Sequence, residues 1–365
     1  MRGGYINKYD SFFSIDKKSF VKLEQYADNF KKIEEVKTDL VYNYPNAIVS
    51  PLFSIIIPTC NRTELFFRAL NSVLKQDIGR TEWEIIVVDN SRMVDGTTFA
   101  YDLIKEIDNE RISYIHNDVD IGPGYNWNRG VILSKGKWAI FLHDDDELDI
   151  DALKKIEQIL KSNRKYTKNM VYLTNNYRSC DSSKNNDYCI KLTQIGTLIH
   201  GHTRTGKPSC GTCILREAYV ETGGVNYDFG PTADAILGYL MMKKYGVYCY
   251  MGKLGKHNDD DSSTNDCHVL EQLINTDELF AKYRYNKTII GKIWGFLFSR
   301  VITKKNLSEK EKINIDLDNK ANFNQCVYYC YGVRVNIITS NLYKVTVLLY
   351  DLINTVNGKL TKKAN

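Results

Sequence analysis

The chain has 365 residues, of which 43% are hydrophobic and 25% charged, and carries a formal net charge of +5. That is enough chain to bury a large core, and the charge is too small to supply the concentrated basic face that nucleic-acid binding needs, so nucleic acid is not an expected partner. The 9 cysteines are odd in number and irregularly spaced, which suits a reducing cytoplasm better than a disulfide framework, and no stretch reaches the roughly 20 apolar residues that cross a bilayer.

Residues 1–50 read as a polar lead-in rich in Tyr and Lys, and Met1 to Asp10 hold no apolar secretory segment. Phe20, Leu23, Tyr26, Ala27, Phe30 and Ile33 are spaced by three or four, which predicts an amphipathic helix over Phe20–Val36 packed on the main domain. Ser54-Ile55-Ile56-Ile57-Pro58 is short, β-branched and continuously apolar, the pattern of a strand buried on both faces. Thr63 is placed to cap a helix running from Glu64 to about Gln76, with Leu65, Ala69, Leu70 and Val73 facing inward. The same reading gives a strand at Glu84–Val88, a helix near Thr97–Ile107, a strand at Ile112–Ile115 and a loop and helix over Gly122–Leu133. A strand at Trp138–Leu142, a helix near Asp151–Lys161 and a strand at Met170–Thr174 follow.

Strands alternating with helices predict an α/β fold: a mainly parallel sheet covered on both faces. Ligands bind such sheets beyond the carboxyl ends of the strands. Polar clusters stand at those ends: Thr59 to Arg62, Asp89 to Ser91, Asn117-Asp118 and Asp144 to Asp146. Neither a GxGxxG nor a GxxxxGK[ST] loop is present, which argues against a dinucleotide dehydrogenase or a P-loop NTPase. The lone Cys210-Gly211-Thr212-Cys213 lacks the second pair that a zinc knuckle requires, and Cys326 with Cys330 has different spacing.

The last cluster carries the most chemistry. Asp144, Asp145 and Asp146 directly follow an apolar strand. Adjacent carboxylates repel one another and lose solvation when buried, so a hard divalent cation, Mn²⁺ or Mg²⁺, is the expected cofactor.

Taken in order, Ser54 to Arg62, Glu84 to Ser91, Gly122 to Gly130 and Phe141 to Asp146 resemble the motifs of family 2 glycosyltransferases, over roughly Phe53 to Ser263. The resemblance implies a GT-A (Rossmann-like) fold, a nucleotide-sugar donor, a divalent metal and inversion at the anomeric carbon. It implies that Pro58, Thr59, Asn61 and Arg62 border the nucleobase and ribose. Asp89 would accept a hydrogen bond from the base, uracil most often, with Ser91 beside it. Asn117, Gly122 and Asn128 would line the nucleotide pocket, and Asp144 and Asp145 would face the donor diphosphate. Asp144, Asp146 and the later His257 would hold the metal, and Asp234, heading a helix, would be the general base. The chain departs from the pattern at Cys60, where Tyr is usual, at Trp127, where Arg is usual, and at Ala233, where Glu is usual. The acidic motif has two registers: Asp144-x-Asp146 fits literally, while alignment on Phe141-Leu142 puts His143 first and Asp145 third.

The expected organisation is a helical lead-in (1–50), a catalytic domain (51–270) with a donor half (51–150) and an acceptor half (151–270), and a C-terminal amphipathic helical region (271–365). In the last region Ile289, Ile290, Ile293 and Phe296 alternate with Lys287 and Lys292, and Leu342, Val345, Leu349 and Leu352 repeat at helical spacing. Such helices either pack on protein or lie on an anionic membrane surface. The expected function is transfer of a sugar from a UDP-sugar to a hydroxyl of a glycan or lipid-linked acceptor in surface polysaccharide synthesis, in the cytoplasm at the inner face of the membrane. Two alternatives stay open: a non-catalytic, transferase-like partner subunit that binds sugar nucleotide or glycan, and a sugar nucleotidyltransferase. The second lacks a Gly-rich, basic loop after the first strand to grip a triphosphate.

Overall fold

The computed structural model describes residues 23–43, 50–79, 82–162, 170–175, 189–193, 208, 210–256, 258, 280–281, 283–297, 341–350 and 352–353. His257, Cys326, Cys330, the lead-in before Leu23 and the basic tail beyond 353 lie outside these residues.

The strands are β1 (Thr38–Asn43), β2 (Phe53–Thr59), β3 (Trp83–Asp89), β4 (Ile112–Asn117), β5 (Trp138–Phe141), β6 (Glu147–Leu148), β7 (Tyr172–Asn175), β8 (Cys189–Leu192), β9 (Thr212–Leu215), β10 (Val247–Tyr250) and β11 (Gly255–Lys256). The α-helices are α1 (Thr63–Leu74), α2 (Phe99–Ile107), α3 (Pro123–Leu133), α4 (Ala152–Ser162), α5 (Arg216–Glu221) and α6 (Ala233–Lys244). Nine strands form one sheet in the order β1-β4-β3-β2-β5-β9-β7-β10-β8, and β6 and β11 form a small ribbon. The expected α/β fold class, a mainly parallel sheet flanked by helices, is the one observed. β4, β3, β2 and β5 run parallel, whereas β9 is antiparallel to both β5 and β7.

Every residue of β2 and β3 is buried, as their unbroken apolar runs require. Side chains of alternate parity serve opposite faces. Ile55, Ile57, Ile85 and Val87 join Phe66, Leu70 and Ile104 of α1 and α2 on one side. Ile56, Ile86 and Val88 join Trp127 and Val131 of α3 on the other. Pro58 falls beyond Ile56, the last β2 residue paired with β5, where a missing N–H is tolerated.

The lead-in differs from expectation. Its described part contains no α-helix. A 3-10 turn at Asn29–Ile33 leads into β1, which pairs antiparallel with β4 and extends the sheet. The apolar spacing of three or four reflects docking instead. Asn29 donates from its backbone and its side chain to the Gly223 carbonyl (3.0 Å each), and Arg129 donates to the carbonyls of Ile33 and Val36 (2.8 and 2.9 Å). A boundary at residue 51 therefore cuts through the sheet.

Glu24 ties this strap to two other parts of the chain. Its carboxylate accepts hydrogen bonds from Lys243 of α6, from Tyr283 (2.7 Å) and from Tyr239 (3.3 Å), and pairs with Lys287 (3.2 Å). Burial alone would raise its pKa, but the hydrogen bonds of Lys243, Tyr283 and Lys287 bring it down from 4.5 to about 2. A depressed carboxyl pKa stabilises the fold above the unfolded value of 4.5 and ceases to do so as pH falls through 2. Glu24→Gln is expected to cost about 1 kcal/mol at neutral pH, kept small by solvent screening, with a gap to wild type that starts to shrink below pH 4.5 and closes only as pH falls through about 2. Denaturant melts of both proteins at neutral pH and at a pH near 2 check this; a gap as large at the acid pH as at neutral pH contradicts it.

From residue 280 on, the described chain is helical at 280–281, 283–285, 289–297, 341–350 and 352–353. No helix among the described residues is long and apolar enough to cross a membrane.

Candidate active site

The parallel register sets the tips of the central strands side by side. Thr59 pairs with Asp89, and Asp89 with His116, so the residues after β2, β3 and β4 meet on one rim. β5 stops earlier, at Phe141 opposite Ile56, and the Leu142 N–H still bonds the Ile56 carbonyl (3.1 Å). His143 to Asp146 therefore turn across the end of β2.

There the three aspartates take different partners. Asp144 accepts from the Thr59 hydroxyl (3.0 Å) and from Arg62 (3.3 Å), and Asp145 accepts from the same guanidinium at 2.9 Å. Arg62 can reach both because it precedes α1 as the N-cap residue; the expected Thr63 cap is not formed, and Thr63 is the first helical residue. Burial pushes the Asp144 carboxyl up to about 6, with Arg62 pulling the other way. Ligand atoms of His143, Asp145 and Asp146 lie within 4.8 Å of one another. Asp145 Oδ1 and His143 Nε2 are buried and have no hydrogen-bond partner. Buried polar atoms are normally paired, so the residues present fit a bound cation. Of the two registers, Asp144 is turned to Thr59 and Arg62, and the residues whose ligand atoms lie close together are His143, Asp145 and Asp146.

A second patch lies at the tips of β3 and β4. Asn61 takes a left-handed backbone (φ 55°), donates from its N–H to Ser91 Oγ (2.8 Å) and accepts from the Arg92 N–H (3.0 Å), which clamps the two tips together. The Cys60 thiol, pushed up to about 12 by burial and then by Asp120, Asp89 and Asp144, is neutral and packs against the Asn90 carbonyl. Asn117 donates to Asn90 (2.7 Å) and Asn126 (3.0 Å), and Asn90 donates to Asp120 (2.8 Å). Asp120 Oδ1 also accepts the Gly122 N–H (2.8 Å), so Gly122 and the start of α3 are fixed to the exposed Asp120 carboxylate. Sequence reading did not single out Asp120. Its signal is the Asx turn it makes two residues ahead of Gly122.

Two expected pocket residues are held in buried hydrogen-bond networks. Asp89 is fully buried, and its carboxylate accepts from the Ser91 N–H (2.7 Å), Thr98 (2.9 Å) and Tyr114 (2.9 Å). Asn128 is also fully buried. It donates to the Val225 carbonyl (2.8 Å) and accepts from the Val225 N–H (2.8 Å) and Tyr219 (2.7 Å), and so holds the Gly223-Gly224-Val225 loop.

That loop leads to the acceptor side. Tyr227 lies against the start of α3, where a Cβ on Gly122 or Gly124 would come within 2.4 and 2.6 Å of its ring. The charges of both Asp120 and Asp234 act on Tyr227. Asp234 is half-buried in the first turn of α6, just after the kink at Gly230 (φ 57°, ψ −142°), and accepts from the Ala235 N–H. Tyr227 thus touches the start of α3 and feels the charge of Asp234.

The family model "Glycosyl transferase family 2" matches residues 54–219, which run from β2 through the acid cluster to α5. Over these residues the chain is similar to family 2 glycosyl transferases. Within that stretch lie β2, β3, β4, β5 and the whole Arg62–Asp146 cluster, and Asp234 falls beyond its end. Among curated proteins the chain is 38% identical over 117 residues to the Campylobacter jejuni GalNAc(5)-diNAcBac-PP-undecaprenol beta-1,3-glucosyltransferase (32% of this chain, 36% of that protein). It is 34% identical over 111 residues to abequosyltransferase RfbV of Salmonella typhimurium (30% of this chain, 33% of that protein). The chain thus spans about a third of the length of these two curated relatives. Among solved structures, S. aureus TarS 1–349 aligns with a TM-score of 0.46 at 17% identity, covering 75% of this chain and 78% of that one.

Proposed function

We propose that the chain is an inverting, cation-dependent glycosyltransferase that moves a sugar from a nucleotide-sugar donor, a UDP-sugar, to a hydroxyl of a glycan or lipid-linked acceptor. The observation that carries this reading is the His143–Asp145–Asp146 group, in which Asp145 Oδ1 and His143 Nε2 have no hydrogen-bond partner, standing at the strand tips of a region that matches the family 2 glycosyl transferase model. A related C. jejuni protein is named for a glucosyl transfer to an undecaprenyl-diphosphate-linked glycan, which supports the acceptor class.

A divalent cation held by His143, Asp145 and Asp146 would neutralise the charge that builds on a departing nucleoside diphosphate. Arg62, already between Asp144 and Asp145, brings a second positive charge to the same rim. Asn61, Ser91, Asn117 and Gly122 shape the patch for the nucleoside, with the Asp120 carboxylate as its exposed acceptor. Asp234 removes the proton from the attacking hydroxyl, and a single displacement from that side inverts the anomeric carbon. The test is a panel of UDP- and GDP-sugars incubated with Mn²⁺ and a lipid-linked saccharide acceptor, read by free nucleotide. UDP release with an inverted glycosidic product supports the proposal; pyrophosphate release indicates a nucleotidyltransferase and sinks it.

Peripheral membrane contact belongs to the same reading. Ile289, Ile290, Ile293 and Phe296 are exposed next to Lys287 and Lys292. Flotation of the full chain with anionic liposomes, but not with neutral ones, is the expected result; no flotation with either removes this part.

A further inference from the structure

We propose that His143 is a metal ligand, so that this chain's cation site is a mixed nitrogen–oxygen site that selects a first-row transition-metal ion over Mg²⁺. The inference rests on the cation-assisted reading above for its use, while its geometry stands independently.

Three features carry it. First, Asp145 is 6% exposed, one of its oxygens has no partner, and the other is taken by Arg62. Second, His143 Nε2 is likewise buried and unpaired, and His143 shares the 4.8 Å group with Asp145 and Asp146 through a ring nitrogen. Leaving a buried polar atom unpaired is costly, and a cation held by both residues would satisfy both atoms. Third, the imidazole is held in place. Its ring stands edge-to-face on Trp127 at 5.1 Å, and Trp127 stands the same way on Phe141 at 5.2 Å. The preceding residue, Leu142, is anchored to β2 by its backbone N–H. Asn258 bonds the Asp145 carbonyl at 2.6 Å and fixes the next turn of the chain.

The donor set decides the metal. Mg²⁺ demands a near-ideal octahedron of oxygens and keeps most of its waters, so a ring nitrogen is a poor ligand for it. First-row divalent ions accept imidazole alongside carboxylate, with affinity rising from Mn²⁺ toward Cu²⁺. Asp144, the one carboxylate of the triplet that could have made the site all-oxygen, is instead occupied by Thr59 and Arg62.

The test uses the full chain stripped with chelator, and Mn²⁺, Co²⁺ and Mg²⁺ as probes, alone and with UDP. Wild type is expected to hold Mn²⁺ and Co²⁺ at least roughly tenfold more tightly than Mg²⁺, and pulsed EPR of bound Mn²⁺ should show a coupled nitrogen. His143→Asp, checked for an unchanged apo melting temperature, is expected to lose the nitrogen coupling and most of that preference. The wild-type EPR measurement keeps the test valid if the variant fails to fold. A bound Mn²⁺ with no nitrogen coupling, or a metal preference unchanged in His143→Asp, overturns the proposal. UDP release by wild type in those cases leaves the glycosyl-transfer reading intact. Nitrogen ligation without any sugar transfer overturns that reading and leaves the metal site.

Discussion

Asp234→Asn is expected to lower kcat by about 10²–10⁴-fold while donor binding and thermal stability stay at wild-type levels. The substitution is close to isosteric. Asn can still accept the Ala235 N–H at the start of α6, and the Gly230 kink that delivers the helix does not depend on the side chain. What it loses is basicity, which an acceptor hydroxyl needs at the moment of attack. The position suits that task. Asp234 acts electrostatically on Tyr227, whose ring lies on the Gly122–Gly124 turn of the donor rim, and it belongs to none of the ligand groups at the strand tips. Steady-state kinetics with saturating donor, paired with nucleotide-sugar thermal shift, separate the two effects. Turnover near wild type would remove Asp234 as the base, and weakened donor binding would move it to the donor side.

Asp89→Ala is expected to destabilise the fold by about 3 kcal/mol or more, without the selective rise in donor KM that a base-reading residue would give. Its carboxylate is the shared acceptor for Ser91, Thr98 and Tyr114, and Thr98 in turn caps α2 by accepting the Tyr101 N–H (3.1 Å). Removing the acceptor strands these donors in a fully buried place. It also loosens the turn that presents Ser91 to Asn61. Chemical denaturation of the variant measures the loss. A fold as stable as wild type with donor affinity reduced tenfold would return Asp89 to the nucleobase.

Much of the fold over residues 51–150 was legible in advance because its signals are local. The runs Ile55–Ile57 and Ile85–Val88 are too apolar to be anything but doubly covered strands, and their burial is complete. The spacing of Ala69, Leu70 and Val73 gave α1 its inward face, and Pro123 just past Gly122 fits the start of α3. The lead-in misled because apolar spacing of three or four also serves a segment that docks in extended and 3-10 form. Its partners, Gly223 and Arg129, are far away in sequence.

What the sequence by itself determined is the class of sheet, the rim on which polar clusters gather, and the presence of an acidic cluster at one strand tip. Those follow from hydrophobic periodicity and from where polar residues interrupt it. The tertiary structure alone decided which member of each cluster faces inward and which faces the site. Asp89 and Asn128 are consumed by buried donors and acceptors, Asp144 by Thr59 and Arg62, and His143 is left with an unpaired nitrogen beside Asp145 and Asp146. Adjacent residues in a turn point in different directions, and the hydrogen-bond partners that select among them arrive from other strands. No one-dimensional pattern encodes that choice.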